Sequence, residues 1–183
     1  MNDQFFFGYG SLVNVATHTY GRTEPATLNG WRRAWRHTSL HDAPFLTVVP
    51  DADMQIDGLI AHVPGNDWAA LDLRERGYTR DPLTPALLRP NRVDVQMYQA
   101  RRDHDLPDGT HQPILLSYLD VVVQGFANVF GNEGVTRFFD TTSGWDAPIL
   151  NDRTEPRYPR HQKLSSSELA LVDHHVERVT SDR

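Results

Sequence analysis

The hydrophobic positions of this chain follow strand-like patterns in its first half and helical spacing in much of its second half. Residues 4–8 are an apolar aromatic run that predicts a short buried strand. Residues 27–38 alternate around two tryptophans and predict one or two extended pieces. The apolar runs 45–49 and 55–63 are separated by Pro50-Asp51-Ala52-Asp53, which predicts a hairpin.

A short helix is expected from Trp68 to Arg76, with an Asn or Asp cap at its start and Gly77 after its end. Helical spacing places Trp68, Leu71 and Glu75 on one side of it. Because the desolvation of a carboxylate is costly, an acid on the buried face of a helix is uncommon. Glu75 is therefore a candidate functional residue.

The rest of the chain is predicted to be mainly helical. Its expected elements are, in order, a strand over 92–100, a charged loop over 101–112, a helix over 114–130, a short helix over 132–139, an irregular proline-rich stretch over 146–159 and a last helix over 168–179. Ser165 and Glu168 have the spacing of a capping box before that last helix. Strands followed by helices indicate an α+β fold, and no linker divides residues 1–183 into more than one expected domain.

Composition narrows the functional classes. Hydrophobic residues make up 39% and charged residues 23% of the chain, as in ordinary globular domains. No apolar stretch approaches the roughly 20 residues that span a bilayer, and the amino terminus has no secretory pattern, so no membrane association is expected. The lack of cysteine excludes disulfides and thiol chemistry and fits a cytoplasmic protein. The formal charge of −6 disfavours a general nucleic-acid binder.

The first predicted strand runs directly into a glycine-flanked polar turn, Gly8-Tyr9-Gly10-Ser11-Leu12. Glycine has no Cβ, so a ligand can approach the backbone closely there. Successive amides in such a turn can point at one anion, and the Ser11 hydroxyl adds a donor. The same pattern fits a tight turn between two strands, so the loop alone leaves both interpretations open.

Tyr9-Gly10-Ser11-Leu12 and Glu75-Arg76-Gly77-Tyr78 together resemble the gamma-glutamylcyclotransferase superfamily. Its members carry a Tyr-Gly-Ser loop just after the first strand. Their catalytic glutamate ends a helix and often precedes a Gly-Tyr pair. Gly30-Trp31-Arg32-Arg33 is similar to the Gly-aromatic-Arg-Arg strand of the glutathione-degrading members. The resemblance covers roughly the first half of the chain and implies a small mixed β-barrel with surrounding helices.

The resemblance also implies an enzyme that needs no cofactor or metal. The α-amine of a gamma-glutamyl substrate attacks its own γ-carbonyl, closes 5-oxoproline and releases a dipeptide, an amino acid or an alkylamine. Glu75 is then the expected catalytic proton shuttle. The expected substrate-binding residues are Tyr9, Gly10, Ser11, Leu12, Tyr78 and Tyr118, with Tyr98 as a weaker candidate. The structural alternatives are a surface ion pair for Glu75 with a neighbouring arginine, and buried tyrosines with satisfied hydroxyls.

Arginines and tryptophans are interleaved from Trp31 to Arg36, a pattern that can suit single-stranded nucleic acid. Period-two alternation explains it more simply, because Trp31, Arg33 and Trp35 share one face of a strand. We therefore expect no nucleic-acid partner. Arg33 is expected to form a structural ion pair rather than to attract the substrate.

The nine histidines do not form a specific metal signature. His174 and His175 are adjacent and diverge by about 100° on a helix. His37 and His41 have helical spacing but lie in a turn-like stretch. We expect these four to be surface residues and expect no metal. Nucleotide cofactors and acyl-serine chemistry are disfavoured because the chain has no Gly-x-Gly-x-x-Gly, Walker or serine-elbow pattern.

Residues 151–160 form a dense polar segment with two prolines. Such a rigid loop could cover the pocket and select the leaving amine, or pack as a carboxy-terminal strap. Two other functional classes stay open. One is a non-catalytic module that binds a small carboxylated metabolite. The other is a protein-interaction domain, which predicts an exposed apolar patch around Trp31 and Trp35.

Overall fold

The computed structural model describes residues 3–83, 87–88 and 94–181. Its strands are β1 (Gln4–Gly8), β2 (Glu24–Arg36), β3 (Phe45–Val63), β4 (Tyr78–Leu83), β5 (Leu87–Leu88), β6 (Asp94–Ala100), β7 (Ile114–Leu115), β8 (Thr142–Ser143) and β9 (Ile149–Leu150). Its helices are α1 (Ala69–Arg74), α2 (Leu116–Asp140) and α3 (Ser166–Ser181).

A mixed sheet carries the fold. Within the described ranges its strand order is β4-β6-β1-β3-β2-β5, with β8 paired to β2. Within this sheet the β1–β6 and β2–β8 pairs are parallel and the other pairs are antiparallel, whereas β7 and β9 form a separate parallel pair. The predicted α+β class is confirmed. The pairings of the described residues do not join the two ends of this path, so closure into a barrel stays a prediction.

Strand β1 contributes to two separate apolar clusters because its side chains alternate between the two faces of the sheet. Phe5 and Phe7 join the main core with α2 residues such as Phe126. Phe6 joins a smaller cluster with Trp68 and Leu71 beside α1. The end of β1 is therefore fixed from both sides, which gives the loop that follows a rigid origin.

The hairpin predicted at Pro50 is wrong. The two apolar runs belong to one strand, β3, and both pair antiparallel with β2, as in Arg33 with Val48 and Leu28 with Ile56. The register shifts next to Gly30, whose φ is 78°. Proline cannot donate to a strand ladder, but an irregularity of this kind tolerates it without a reversal of the chain.

Most other predicted elements agree with the structure. The expected helix start at Ile114 is wrong, because Ile114–Leu115 form β7, which pairs with β9 inside the stretch 146–159 that was expected to be irregular. Residues 27–38 lie mostly in the single strand β2, and the expected strand over 92–100 begins at Asp94 within the described residues, since 92 and 93 lie outside them. Gly131 has a φ of 67° and divides α2, where two helices were expected. The capping box is confirmed: the Ser165 amide donates to Glu168 at 2.6 Å, and the Glu168 amide donates to the Ser165 hydroxyl at 3.3 Å.

The expected surface position of His175 is wrong. Its ring stacks on Phe139 at a centroid distance of 4.9 Å and lies beside Val172 on the buried side of α3, whereas His174 is exposed. Among the described residues, no group of three or more His, Asp or Glu side chains is arranged to hold a metal ion. No helix in the described ranges has the length and apolar character needed to cross a bilayer.

Candidate active site

A cleft of about 630 Å³ opens where the end of β1 meets the end of α1, which is a typical size for a small-molecule site. It brings together all the residues that the sequence predicted for catalysis and binding, which are Tyr9, Gly10, Ser11, Leu12, Glu75, Tyr78 and Tyr118. Positions more than sixty residues apart in sequence thus line one cavity.

The glycine loop turns sharply into a short 3₁₀ turn at Ser11–Val13, in which the Val13 amide donates to the Gly10 carbonyl at 3.0 Å. Packing requires a glycine at position 10. A Cβ there would lie 2.8 Å from the Tyr118 hydroxyl and 3.0 Å from Leu46 Cδ2. The Leu12 side chain belongs to the small apolar cluster, so its contribution to the cleft is mainly through the backbone.

Arg33 stabilises the glycine loop through a hydrogen bond to its backbone. Its side chain is fully buried, and its Nε donates to the Tyr9 carbonyl at 2.7 Å. Its other donors reach the Thr141 hydroxyl at 2.8 Å and the Asp57 carbonyl. Burial lowers the pKa of Arg33 to about 9, so the guanidinium stays charged at neutral pH. The expected ion pair is replaced by hydrogen bonds to carbonyls and a hydroxyl, which make Arg33 a positioning residue.

Glu75 follows the last residue of α1, and its side chain is only 16% exposed. Burial raises the pKa of its carboxyl, against the opposing effects of Arg74 and Arg160. Arg74 Nε lies 3.0 Å from Glu75 Oε1. The arginine partner expected for a surface glutamate is thus present, but the pair lies inside the cleft.

Arg74 links the acid to the glycine loop. Besides contacting Glu75, its guanidinium donates to the Thr17 carbonyl at 2.9 Å and to the Ser11 hydroxyl at 3.4 Å. One guanidinium therefore contacts both the carboxylate and the loop hydroxyl. From the sequence Arg74 was expected only as a possible surface partner of Glu75, and its contact with the loop was not predicted.

The tyrosines of the cleft fall into two groups. Tyr9 donates to the Tyr98 carbonyl at 2.7 Å and Tyr78 donates to the Leu46 carbonyl at 3.0 Å, so both are held to the protein frame. The Tyr118 hydroxyl instead lies against the glycine loop. Burial raises the pKa of Tyr9, Tyr78 and Tyr118 well above the ordinary value, so all three are neutral phenols at neutral pH.

Part of the late polar segment lines the outer side of the cleft. We call residues 152–160 the strap, and its cleft-lining members are Arg157, Tyr158, Pro159 and Arg160. The Asp152 carboxylate anchors it by accepting from the Ser117 amide at 2.8 Å, the Ser117 hydroxyl at 2.6 Å and the Arg157 amide at 2.9 Å. The sequence marked this segment as a possible cover but did not single out its residues.

Trp35 also lines the cleft, at 8% exposure, and its ring contacts Tyr118 and Trp145. Trp31 is partly buried against the main core. The exposed tryptophan patch that a protein-interaction domain predicts is therefore not present at these two residues. His41 and Phe45 also line the cleft, and neither was predicted to do so from the sequence.

Solved structures of other proteins share this fold. A solved gamma-glutamyl cyclotransferase has 13% identity and a TM-score of 0.59, over 94% of this chain and 99% of that one. The protein loc79017 from Homo sapiens has 13% sequence identity and a TM-score of 0.60, over the same shares of the two chains. YkqA from Bacillus subtilis has 16% sequence identity and a TM-score of 0.57, over 79% of this chain and 57% of that one. At such identities these likenesses establish the fold.

The comparison with curated protein sequences gives no match. The model of the family described as gamma-glutamyl cyclotransferase, AIG2-like matches residues 6–115, which is more than half of the chain and includes both the glycine loop and Glu75. The chain belongs to the gamma-glutamyl cyclotransferase, AIG2-like family.

Proposed function

We propose that this chain releases 5-oxoproline from gamma-glutamyl amides by intramolecular aminolysis. The observation that carries the proposal is the buried Glu75 carboxylate, whose pKa is raised, in one cleft with the Gly10-Ser11 turn. A carboxylate of raised pKa is a stronger base than an exposed one and a plausible later acid. Proton transfer in both directions is what this reaction requires.

The atoms of the reaction balance without a co-reactant. The substrate's α-ammonium loses a proton to Glu75, and the freed amine nitrogen attacks the γ-carbonyl carbon. A C–N bond forms in the lactam ring, and the C–N bond to the leaving amine breaks. Glu75 delivers the proton that it holds to the leaving nitrogen, takes a second proton from the ring nitrogen and passes it to the departing amine, which leaves as an ammonium ion while the carboxylate is restored.

The loop supplies the remaining requirements. Donors from the Gly10-Ser11 backbone and the Ser11 and Tyr118 hydroxyls suit the oxyanion of the tetrahedral intermediate or the substrate's α-carboxylate. The enclosed cleft favours the folded conformer in which amine and carbonyl meet. The tyrosines contribute neutral hydrogen-bond groups that do not compete with Glu75 for the proton.

A panel of gamma-glutamyl compounds tests the proposal, with 5-oxoproline detected directly. Glutathione comes first because Gly30-Trp31-Arg32-Arg33 resembles its degraders, followed by gamma-glutamyl amino acids and a gamma-glutamyl alkylamine. Release of 5-oxoproline from any member supports the proposal. Calorimetric binding without release from any member supports the non-catalytic module instead.

Glu75→Gln keeps the shape of the side chain and removes its proton chemistry. We expect kcat to fall by about 10²- to 10⁴-fold, the usual contribution of a general acid–base, with little change in melting temperature. Glu133→Gln is the matched control, because Glu133 is exposed on α2 outside the cleft. Turnover by Glu75→Gln at the unmodified rate would contradict the assignment.

A further inference from the structure

The cleft is cationic in a chain whose formal charge is −6. Among the described residues that line it, four are arginines and Glu75 is the single acid. Those arginines are Arg74, Arg76, Arg157 and Arg160. Arg74 is engaged by Glu75, Thr17 and Ser11, so the excess positive charge comes from the other three.

Arg160 is the last cleft-lining residue of the strap. It is half-buried, and within the described part of the chain its guanidinium has no hydrogen bond and no ion pair. The positive charge of Arg160 acts to lower the pKa of Glu75, so the two side chains interact electrostatically. Partial burial strengthens any interaction that this guanidinium makes with an anion, because water screens it less.

Arg157 lies farther out. Its side chain is 47% exposed, and its contact with Asp42 spans 3.8 Å, with Asp42 91% exposed. A pair of this kind contributes little to stability and can exchange for another anion. The strap thus presents one half-buried and one exposed guanidinium toward the cleft.

The strap is built to hold these cations in place. Asp152 binds it to the first turn of α2, and Tyr158 packs edge-on against Tyr118 at a centroid distance of 5.0 Å. Because the strap is ordered before a ligand arrives, less entropy is lost when its arginines engage an anion. This is the arrangement expected of a recognition element.

The leaving amine must depart toward solvent, whereas Glu75 and the glycine loop hold the reacting end of the substrate in the buried part of the cleft. We propose that Arg160, assisted by Arg157, binds a carboxylate on the leaving group. The preferred substrates are then gamma-glutamyl amino acids or peptides with a free carboxylate, rather than gamma-glutamyl alkylamines or amides. This inference rests on the proposed function.

Gamma-glutamylalanine and gamma-glutamylalaninamide test it, because they differ only in the leaving group's carboxylate. We expect a kcat/KM at least about tenfold higher for the acid, as a charge-assisted hydrogen bond provides. Arg160→Gln should remove about tenfold of that preference. Because Arg160 also lowers the pKa of Glu75, its loss should slow acid and amide by a common factor near neutral pH, which cancels in the ratio of the two kcat/KM values. Arg102→Gln removes the same charge from an exposed loop and should keep the preference.

Two results would overturn the inference while leaving the proposed function intact. One is equal kcat/KM for acid and amide. The other is an Arg160→Gln variant that slows both by the same factor and so keeps the acid-over-amide preference of the unmodified enzyme, which would place Arg160 at the glutamyl end. If neither compound yields 5-oxoproline, the proposed function fails, and calorimetry with the same pair decides separately. Tighter binding of the acid, lost in Arg160→Gln, supports the inference, and equal or absent binding refutes it.

Discussion

The two walls of the cleft differ in burial, charge and attachment. The inner wall, made of the glycine loop, Glu75 and the tyrosines, is buried and uncharged apart from the Arg74–Glu75 pair. The outer wall, the strap, is more exposed, and two of its arginines, Arg157 and Arg160, line the cleft. A group that must exchange a proton gains from burial, which shifts its pKa. A group that only recognises an anion can stay exposed, where its charge costs little desolvation.

The walls also differ in how they are held. Arg33 and the packing around Gly10 fix the inner wall within the main core. The strap is attached by the hydrogen bonds of Asp152, by the ion pairs of Arg153 with Asp120 and Asp173, and by the Tyr118–Tyr158 contact. Substitutions in the inner wall should therefore change kcat, and substitutions that loosen the strap should change KM.

Gly10→Ala should cause the largest effect of the three variants that follow. The added methyl group would lie 2.8 Å from the Tyr118 hydroxyl, closer than carbon and oxygen can approach, so either the loop or Tyr118 must move. Misplaced donors at the oxyanion cost about 10² in rate or more. We expect kcat to fall by that order, as measured by 5-oxoproline release under saturating substrate.

Gly21→Ala is the matched control, because a Cβ on Gly21 meets nothing within 4 Å. It should keep both the rate and the melting temperature. A Gly10→Ala enzyme with unchanged kcat would show that the loop does not contact the reacting atoms, and the contrast between the two walls would then lose its basis.

The inner wall could be predicted from the sequence because its residues lie in short local signals. A strand that ends at Gly8, a polar turn and an acid after a short helix are all visible in consecutive residues. Periodicity also located Gly131 between two helical segments and the Ser165 capping box. Each of these features depends on neighbours within a few positions.

The cleft-lining residues of the strap and the burial of Arg33 could not be predicted from short local signals. Arg33 is buried because its acceptors come from Tyr9, Asp57 and Thr141, which only the fold brings together. Pro50 indicated a turn, but the pairing of both halves of β3 with β2 overrides that local signal. Long-range contacts, such as that of Asp152 with Ser117, also decide which residues of the strap line the cleft.

Arg74→Gln should have an intermediate effect that depends on pH. Arg74 opposes the effect of burial on Glu75, so its removal raises the pKa of that carboxyl further. A base of higher pKa stays protonated to higher pH, so the acid limb of the kcat–pH profile should move upward. Activity near neutral pH should fall by about tenfold, whereas part of it returns at higher pH.

Arg76→Gln removes the same charge one residue later, from an exposed side chain. It should leave the midpoint of the acid limb in place, because Arg76 is not among the groups that shift the pKa of Glu75. A limb that moves equally in both variants would indicate a general field effect. The specific role of the Arg74 contact would then be wrong.

Asp152→Asn should have the smallest catalytic effect and act on the strap alone. Although burial acts to raise the pKa of Asp152, hydrogen bonds from Ser117 and Arg157 hold it below the ordinary value of 3.8. An amide cannot accept all of these bonds, so we expect a loss of about 1–3 kcal/mol in the free energy of unfolding. KM for a carboxylated substrate should rise a few-fold while kcat stays the same.

The pH dependence of unfolding sharpens this last test. Because the folded-state pKa of Asp152 is lowered, its stabilising effect is present above the unfolded value near 3.8 and is lost as pH falls through the folded value. Asp152→Asn and the unmodified protein should therefore differ in denaturant midpoint at neutral pH and converge in acid. Asp108→Asn, on an exposed loop, should show no such difference. A fall in kcat in Asp152→Asn, with KM unchanged, would mean that the strap takes part in the chemistry. Catalysis and substrate recognition would then not be separated between the inner wall and the strap.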